Sequence, residues 1–129
     1  MTLLEALVVV TLTVLIGLIA FPSVEKSYGI LTLHETADVM AANMRLAHAE
    51  AMNKGEDVGF ALQSDGHGYS WSGEARRTPV AVNLWMSKGR KIQFFSDGSS
   101  SGGAIALADG AHRVDISVDA ATGAVTAAP

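Results

Sequence analysis

The chain has 129 residues, 9 Lys and Arg against 13 Asp and Glu, no cysteine, and a formal net charge of -4 at pH 7. That length leaves room for one small globular domain beside any membrane segment, and the lack of Cys excludes disulfide scaffolds, Cys-ligated zinc and thiol catalysis. The acidic balance, with a pI near 5.4, is opposite to the basic surface of a general nucleic-acid binder.

Met1 to Phe21 is an apolar run interrupted by one charge, Glu5, and Ala6 to Val24 carries no ionisable side chain. About 20 predominantly apolar residues in a helix span a bilayer core, so this run is long enough to cross. A carboxylate inside such a span costs on the order of 2.5–3.5 kcal/mol on insertion scales. Glu5 therefore calls for a partner, and the nearest candidate is the α-amino group of Met1, on the same chain or a neighbour. A secretory signal would carry a basic n-region, a shorter apolar core and a small-residue cleavage site; no Lys or Arg precedes this run, which is also too long. A plain single-pass anchor fits the length but gives Glu5 no purpose.

Thr2-Leu3-Leu4-Glu5 followed by an unbroken apolar run to Phe21-Pro22 resembles the mature N-terminus of type IV pilins and type II secretion pseudopilins. The resemblance implies removal of a basic leader by a prepilin peptidase and N-methylation of the first mature residue. Met1 stands at that position, where the family usually has Phe. The resemblance also makes Glu5 and Met1 the assembly pair, Glu5 neutralising the terminal amine of an adjacent subunit.

Pro22 comes at the expected membrane exit. Proline inside a helix removes a backbone hydrogen bond and bends the axis, so a kink or local melting is expected there, with the helix continuing outward if the family pattern holds. Tyr28 suits the headgroup level. Leu33, Ala37, Met40, Met44, Ala47 and Ala51 then recur at spacings of four and three, the apolar stripe of a helix from about Leu31 to Lys54. Met and Ala at that period signal core packing rather than a cofactor site, and the small Ala residues allow a sheet to approach closely. Glu50 and Lys54 form a favourable i, i+4 pair, and Gly55 is a C-cap.

Beyond Gly55 the period shortens to two. Val58 to Leu62 reads as a strand, Ser64 to Gly68 as a turn, and Gly68 to Trp71 as the hairpin partner. Arg76, Arg77 and Pro79 read as a loop; Val80 to Met86 is ambiguous. Lys91 to Phe95 is a strand and Ser96 to Gly103 a flexible Ser/Gly loop. Ala104 to Leu107, Arg113 to Val118 and Ala124 to Thr126 are three short strands, with turns at Asp109-Gly110 and Ala121-Thr122-Gly123. One helix followed by antiparallel strands is an α+β pattern. The run Phe94-Phe95-Ser96-Asp97-Gly98-Ser99, the strand Val114 to Val118 and Gly123-Ala124-Val125 are similar to the GspH/FimT group of minor pilins and pseudopilins. So is Arg45-Leu46-Ala47-His48-Ala49-Glu50-Ala51.

The fold expected is pilin-like: a transmembrane and assembly helix over 1–28, an amphipathic helix over 29–55, and a β-rich periplasmic domain over 56–129 packed as antiparallel sheet on that helix. His34, His48, His67 and His112 have no ligand spacing to one another. The serines around Asp97 lack a nucleophile-elbow pattern, and Gly98, Gly102 and Gly103 lack the context of a phosphate cradle. No catalytic, cofactor or metal set is expected. Arg76, Arg77, Lys88, Arg90 and Lys91 are a candidate anion or partner patch, weighed against ordinary solvated charge. The resemblance implies a minor pseudopilin of a type II secretion machine, single-pass in the bacterial inner membrane. Its expected partners are other major and minor pseudopilins, the prepilin peptidase and a secreted protein substrate. The alternative is a type IV pilus minor pilin, some relatives of which bind DNA during uptake; the acidic composition weighs against DNA.

Overall fold

In the computed structural model, which describes residues 2–128 and of Glu25 and Lys26 only the backbone, helix α1 runs Leu3–Lys54. The chain divides into two compact units, Met1–Thr32 and Leu33–Pro129. In the first, every large apolar side chain from Leu3 to Phe21 is exposed, the arrangement that an apolar environment would satisfy. The polar exceptions are silenced locally: the Thr11 and Thr13 hydroxyls donate to the carbonyls of Leu7 and Val9, each at 2.8 Å, so no hydroxyl proton is left unpaired in a medium without water. Pro22 lies inside the α-helix, which continues on both sides of it. Its missing N–H leaves the Leu18 carbonyl without the usual i+4 donor.

In the second unit the apolar period does what its spacing requires. Leu33, Ala37, Met40, Met44, Ala47 and Ala51 are all buried, joined by Ala41. Gly55, at φ +66°, closes the helix in the left-handed conformation that glycine adopts without strain. Eight strands follow: β1 (Val58–Leu62), β2 (Gly68–Trp71), β3 (Glu74–Arg77), β4 (Asn83–Met86), β5 (Lys91–Phe94), β6 (Gly103–Ala108), β7 (Arg113–Val118) and β8 (Val125–Ala128). They form two antiparallel sheets, ordered β3-β2-β1-β5 and β4-β6-β7-β8. One shared core joins the helix stripe to Phe60, Ile92 and Phe94 of the first sheet and Ile105, Leu107 and Ile116 of the second. Phe60, Tyr69 and Trp71 stack on its β1–β2 side, with ring centroids 5.1–5.9 Å apart.

One expectation is corrected and two readings are sharpened. Arg76 and Arg77 belong to strand β3, not to a loop; the strand is exposed at all four positions, so it has no apolar alternation to betray it. The ambiguous stretch to Met86 resolves into β4, with Leu84 buried. Ser96 to Gly103 is not a loose loop: Ser100 is buried and bridges Phe94, and its hydroxyl donates to the Asp119 carbonyl at 2.8 Å. The Ser101 amide donates to the Gln93 carbonyl at 2.9 Å. This segment runs along the outer edge of β5.

Candidate assembly surface

The first turn of α1 explains what Glu5 does within its own chain. The Glu5 amide donates to the Thr2 hydroxyl at 3.2 Å, and the Thr2 amide donates to Glu5 Oε2 at 3.4 Å. Thr2 is thus the N-cap and Glu5 the third helical residue of a reciprocal capping box, which satisfies two amides that a helix start leaves orphaned. The acid also sits at the positive end of the helix dipole. The Thr-x-x-Glu spacing of residues 2–5 is the sequence signal of this box, masked by the apolar run in which it sits. One carboxylate oxygen carries the longer of these two bonds, and Oε1 has no hydrogen-bond partner among the described residues. Met1, the other half of the expected assembly pair and the expected methylation site, lies outside the described residues.

In the second unit, side chains off the buried stripe of α1 leave an exposed apolar line, Val39 and Leu46 among them. Leu46, Ala49 and Asn53 form one wall of an open groove of about 730 Å³, and Trp71, Glu74 and Arg76 form the other. Glu50 lies at its rim, accepting from Lys54 Nζ and the Ser72 hydroxyl, each at 2.6 Å; these two bonds hold its carboxyl below the usual carboxylate range. Further along, Asn43 Nδ2 donates to the Tyr69 hydroxyl at 2.9 Å. Burial pushes that hydroxyl's pKa up, and the Asn43 bond partly offsets the shift. No sequence signal marks the groove, because residues about 25 positions apart build it.

The basic residues do not converge on one point. Arg76 and Arg77 are consecutive in a strand, so they project to opposite faces of the sheet: Arg76 lies across from Tyr69 on the helix side, and Arg77 across from Gly68 on the outer face. Arg77 is engaged by Asp65 at 2.8 Å and Gln63 at 3.2 Å. Lys91 is on β5, three strands away in the same sheet, about 14 Å at the usual strand spacing, and its side chain lies across Gly59. Lys88 and Arg90 are exposed in the connection leading into β5. Among the described residues no cluster of three or more His, Cys, Asp and Glu could hold a metal ion.

A long N-terminal helix whose outer half packs on antiparallel sheets defines the chain as having the pilin-like fold. Solved structures with that fold include the type IV minor pilin FimU of Pseudomonas aeruginosa PAO1 in two crystal forms. Both are 15% identical over 75% of this chain, with TM-scores of 0.64 and 0.65, and the matches span 93% and 88% of the FimU chains. The minor pseudopilin EpsH from the type 2 secretion system of Vibrio cholerae matches at 11% identity and a TM-score of 0.65, over 74% of this chain and 95% of EpsH. No family model matches the sequence, and no curated protein sequence does.

Proposed function

We propose that the chain is a minor pseudopilin of a type II secretion machine, anchored by α1 in the inner membrane with its β-rich domain in the periplasm. It works by assembly rather than catalysis. The observation that carries this reading is a single acid at the head of an otherwise uncharged helical segment whose large apolar side chains are all exposed, attached to a domain with the fold of minor pilins and pseudopilins. Lipid satisfies those side chains while the subunit is stored. Neighbouring helices satisfy them when it leaves the bilayer to join a short filament. Glu5 then meets the terminal amine of an adjacent subunit where water is excluded and the attraction is stronger than in water, fixing the axial register. Removing one partner leaves a buried charge unpaired, at a cost of about 3–5 kcal/mol.

The test replaces Glu5 by Leu and measures both secretion and cross-linking of α1 to other pilin-like subunits. Both are expected to fall sharply, and unchanged values would refute the register mechanism. The likeness to FimU supports a second machine, the type IV pilus, at the same TM-score. Deleting the gene separates the two, because the first reading predicts a secretion defect with pili intact and the second the reverse. DNA uptake is the weaker extension, since Arg76, Arg77 and Lys91 are dispersed over two faces and two edges of one sheet.

A further inference from the structure

The four sheet edges are not equally finished. The outer side of β5 is taken by Ser100 and Ser101, the Leu84 amide of β4 donates to the Gly66 carbonyl at 2.9 Å, and Arg45 reaches from α1 to the Val125 carbonyl of β8 at 3.0 Å. On β3 the Thr78 amide donates to the His67 carbonyl at 3.0 Å, which fixes the phase of the ladder. Arg76 and Glu74 bond inward to Tyr69 and Trp71, and Ala75 and Arg77 turn their amides and carbonyls outward. Those outward groups have no hydrogen-bond partner among the described residues. The groove beside β3 is open as well: exposed Leu46 lines it from α1, and Glu74 and Arg76 line it from the strand. Both charges are exposed, and neither has an ion-pair partner among the described residues.

We propose that β3 is a docking edge for an extended segment of a different protein, which adds to the sheet as a fifth, antiparallel strand. That segment carries a carboxylate opposite Arg76 and, two residues later, a cation opposite Glu74. The outward amides and carbonyls of Ala75 and Arg77 are spaced for a strand, and strand addition is a general mode of peptide recognition. Arg76 and Glu74 then stand at non-hydrogen-bonded sites, where opposed side chains come closest, so each meets one side chain of the guest. The aliphatic stems of the guest's two charged residues cover Leu46. Charged residues on an open edge usually guard against pairing; here their order admits one guest sequence and repels the reverse order at both sites. A second copy of Glu74-Ala75-Arg76 carries the admitted order, but the two-fold axis it requires is normal to the sheet and reverses the stretch of α1 packed on it. Two chains anchored by α1 in one bilayer cannot meet in that way. The choice of a different protein over a second copy thus rests on the anchoring proposed above.

The test uses the full chain in lipid vesicles and a synthetic peptide, Val-Thr-Glu-Cys-Lys-Thr-Val, added outside. The chain has no native cysteine, so Ala75→Cys reports the register: Cα atoms of a hydrogen-bonded pair lie about 5.5 Å apart, within disulfide range. Mild oxidation is expected to give about fivefold more mixed disulfide with this peptide than with Val-Thr-Lys-Cys-Glu-Thr-Val, which sets like charges in opposition. Adding Glu74→Arg together with Arg76→Glu inverts that preference. With Ser117→Cys, an exposed position on the other sheet, the two peptides react alike. Equal or reversed yields from the two peptides at Ala75→Cys would overturn the proposal, as would a preference that the double exchange leaves unchanged. A chain-to-chain disulfide that outcompetes the peptide would put a second copy on the edge and overturn it too. These outcomes are separate from the Glu5 cross-linking that decides the filament reading, so either can fail alone. The circular-dichroism melt of each variant confirms that these exposed substitutions leave the domain folded.

Discussion

At the residue scale, close contacts and turn carboxylates account for much of what fixes the domain. His48 Nε2 meets the Gly98 carbonyl at 2.7 Å, and the His48 ring packs on Phe94. Gly123 lies directly against this contact: buried, at φ +69°, with a hypothetical Cβ running into His48 Nε2 and within 2.7 Å of Gly98 O. Gly123→Ala is expected to cost about 2–3 kcal/mol, from the left-handed backbone and the displaced hydrogen bond together. Chemical denaturation followed by tryptophan fluorescence measures it, and a loss under 0.5 kcal/mol would show that the contact has slack. Asp109 accepts from the amides of His112 and Ala111 at 2.8 and 3.1 Å, and the His112 amide foremost holds its carboxyl below the usual value. Asp119 is lowered the same way by Thr122 and Ala121, and Asp97 by the Ser99 hydroxyl and amide. A depressed folded pKa contributes stability that is complete above the unfolded value, about 3.9 for Asp, and is lost as pH falls through the folded value. The melting temperature should therefore hold steady from pH 7 to about 5 and decline below about 4, with a shallower decline in Asp109→Asn. Parallel acid profiles for the two proteins would remove Asp109 from the explanation.

At the element scale, the contact of α1 with the sheets rests on small residues. Ala47 and Ala51 are fully buried, so the helix backbone comes near the sheet there. Ala47→Leu inserts volume where none is free and is expected to destabilise by about 1–3 kcal/mol, read as a lower denaturation midpoint at unchanged slope. The helix stripe was legible in the sequence because its burial is one-sided and regular, and β1, β2 and β7 were legible for the same reason at period two. β3 was not. An edge strand with both faces wet leaves Glu-Ala-Arg-Arg with no pattern, and its strand character comes only from pairing with β2. The candidate site divides likewise. The lone acid of the apolar run was conspicuous and its Thr2 partner could be read from a three-residue spacing, but the groove beside Trp71 exists only once α1 and the β2–β3 hairpin have come together.

At the scale of the whole molecule, the two units solve different problems. Residues 33–129 bury a core of their own and hold the fold shared with FimU and EpsH. In the first unit none of the side chains described is buried within the chain, and they carry an apolar surface that needs lipid or other helices. Glu5 caps its own helix and is also the proposed register charge, so replacing it by Ala or Leu alters both at once. Glu5→Gln separates them: Gln still serves the capping box but brings no charge, whereas Thr2→Ala weakens the cap by about 0.5–2 kcal/mol and leaves the carboxylate. The direct measurement is cross-linking of α1 to neighbouring pilin-like subunits in native membranes, for both variants beside the unmodified chain. If Glu5 sets the register through its charge, Glu5→Gln loses the cross-linked species and Thr2→Ala largely keeps it. Full cross-linking by Glu5→Gln, or its loss in Thr2→Ala alone, would contradict that role and reduce Glu5 to a helix cap.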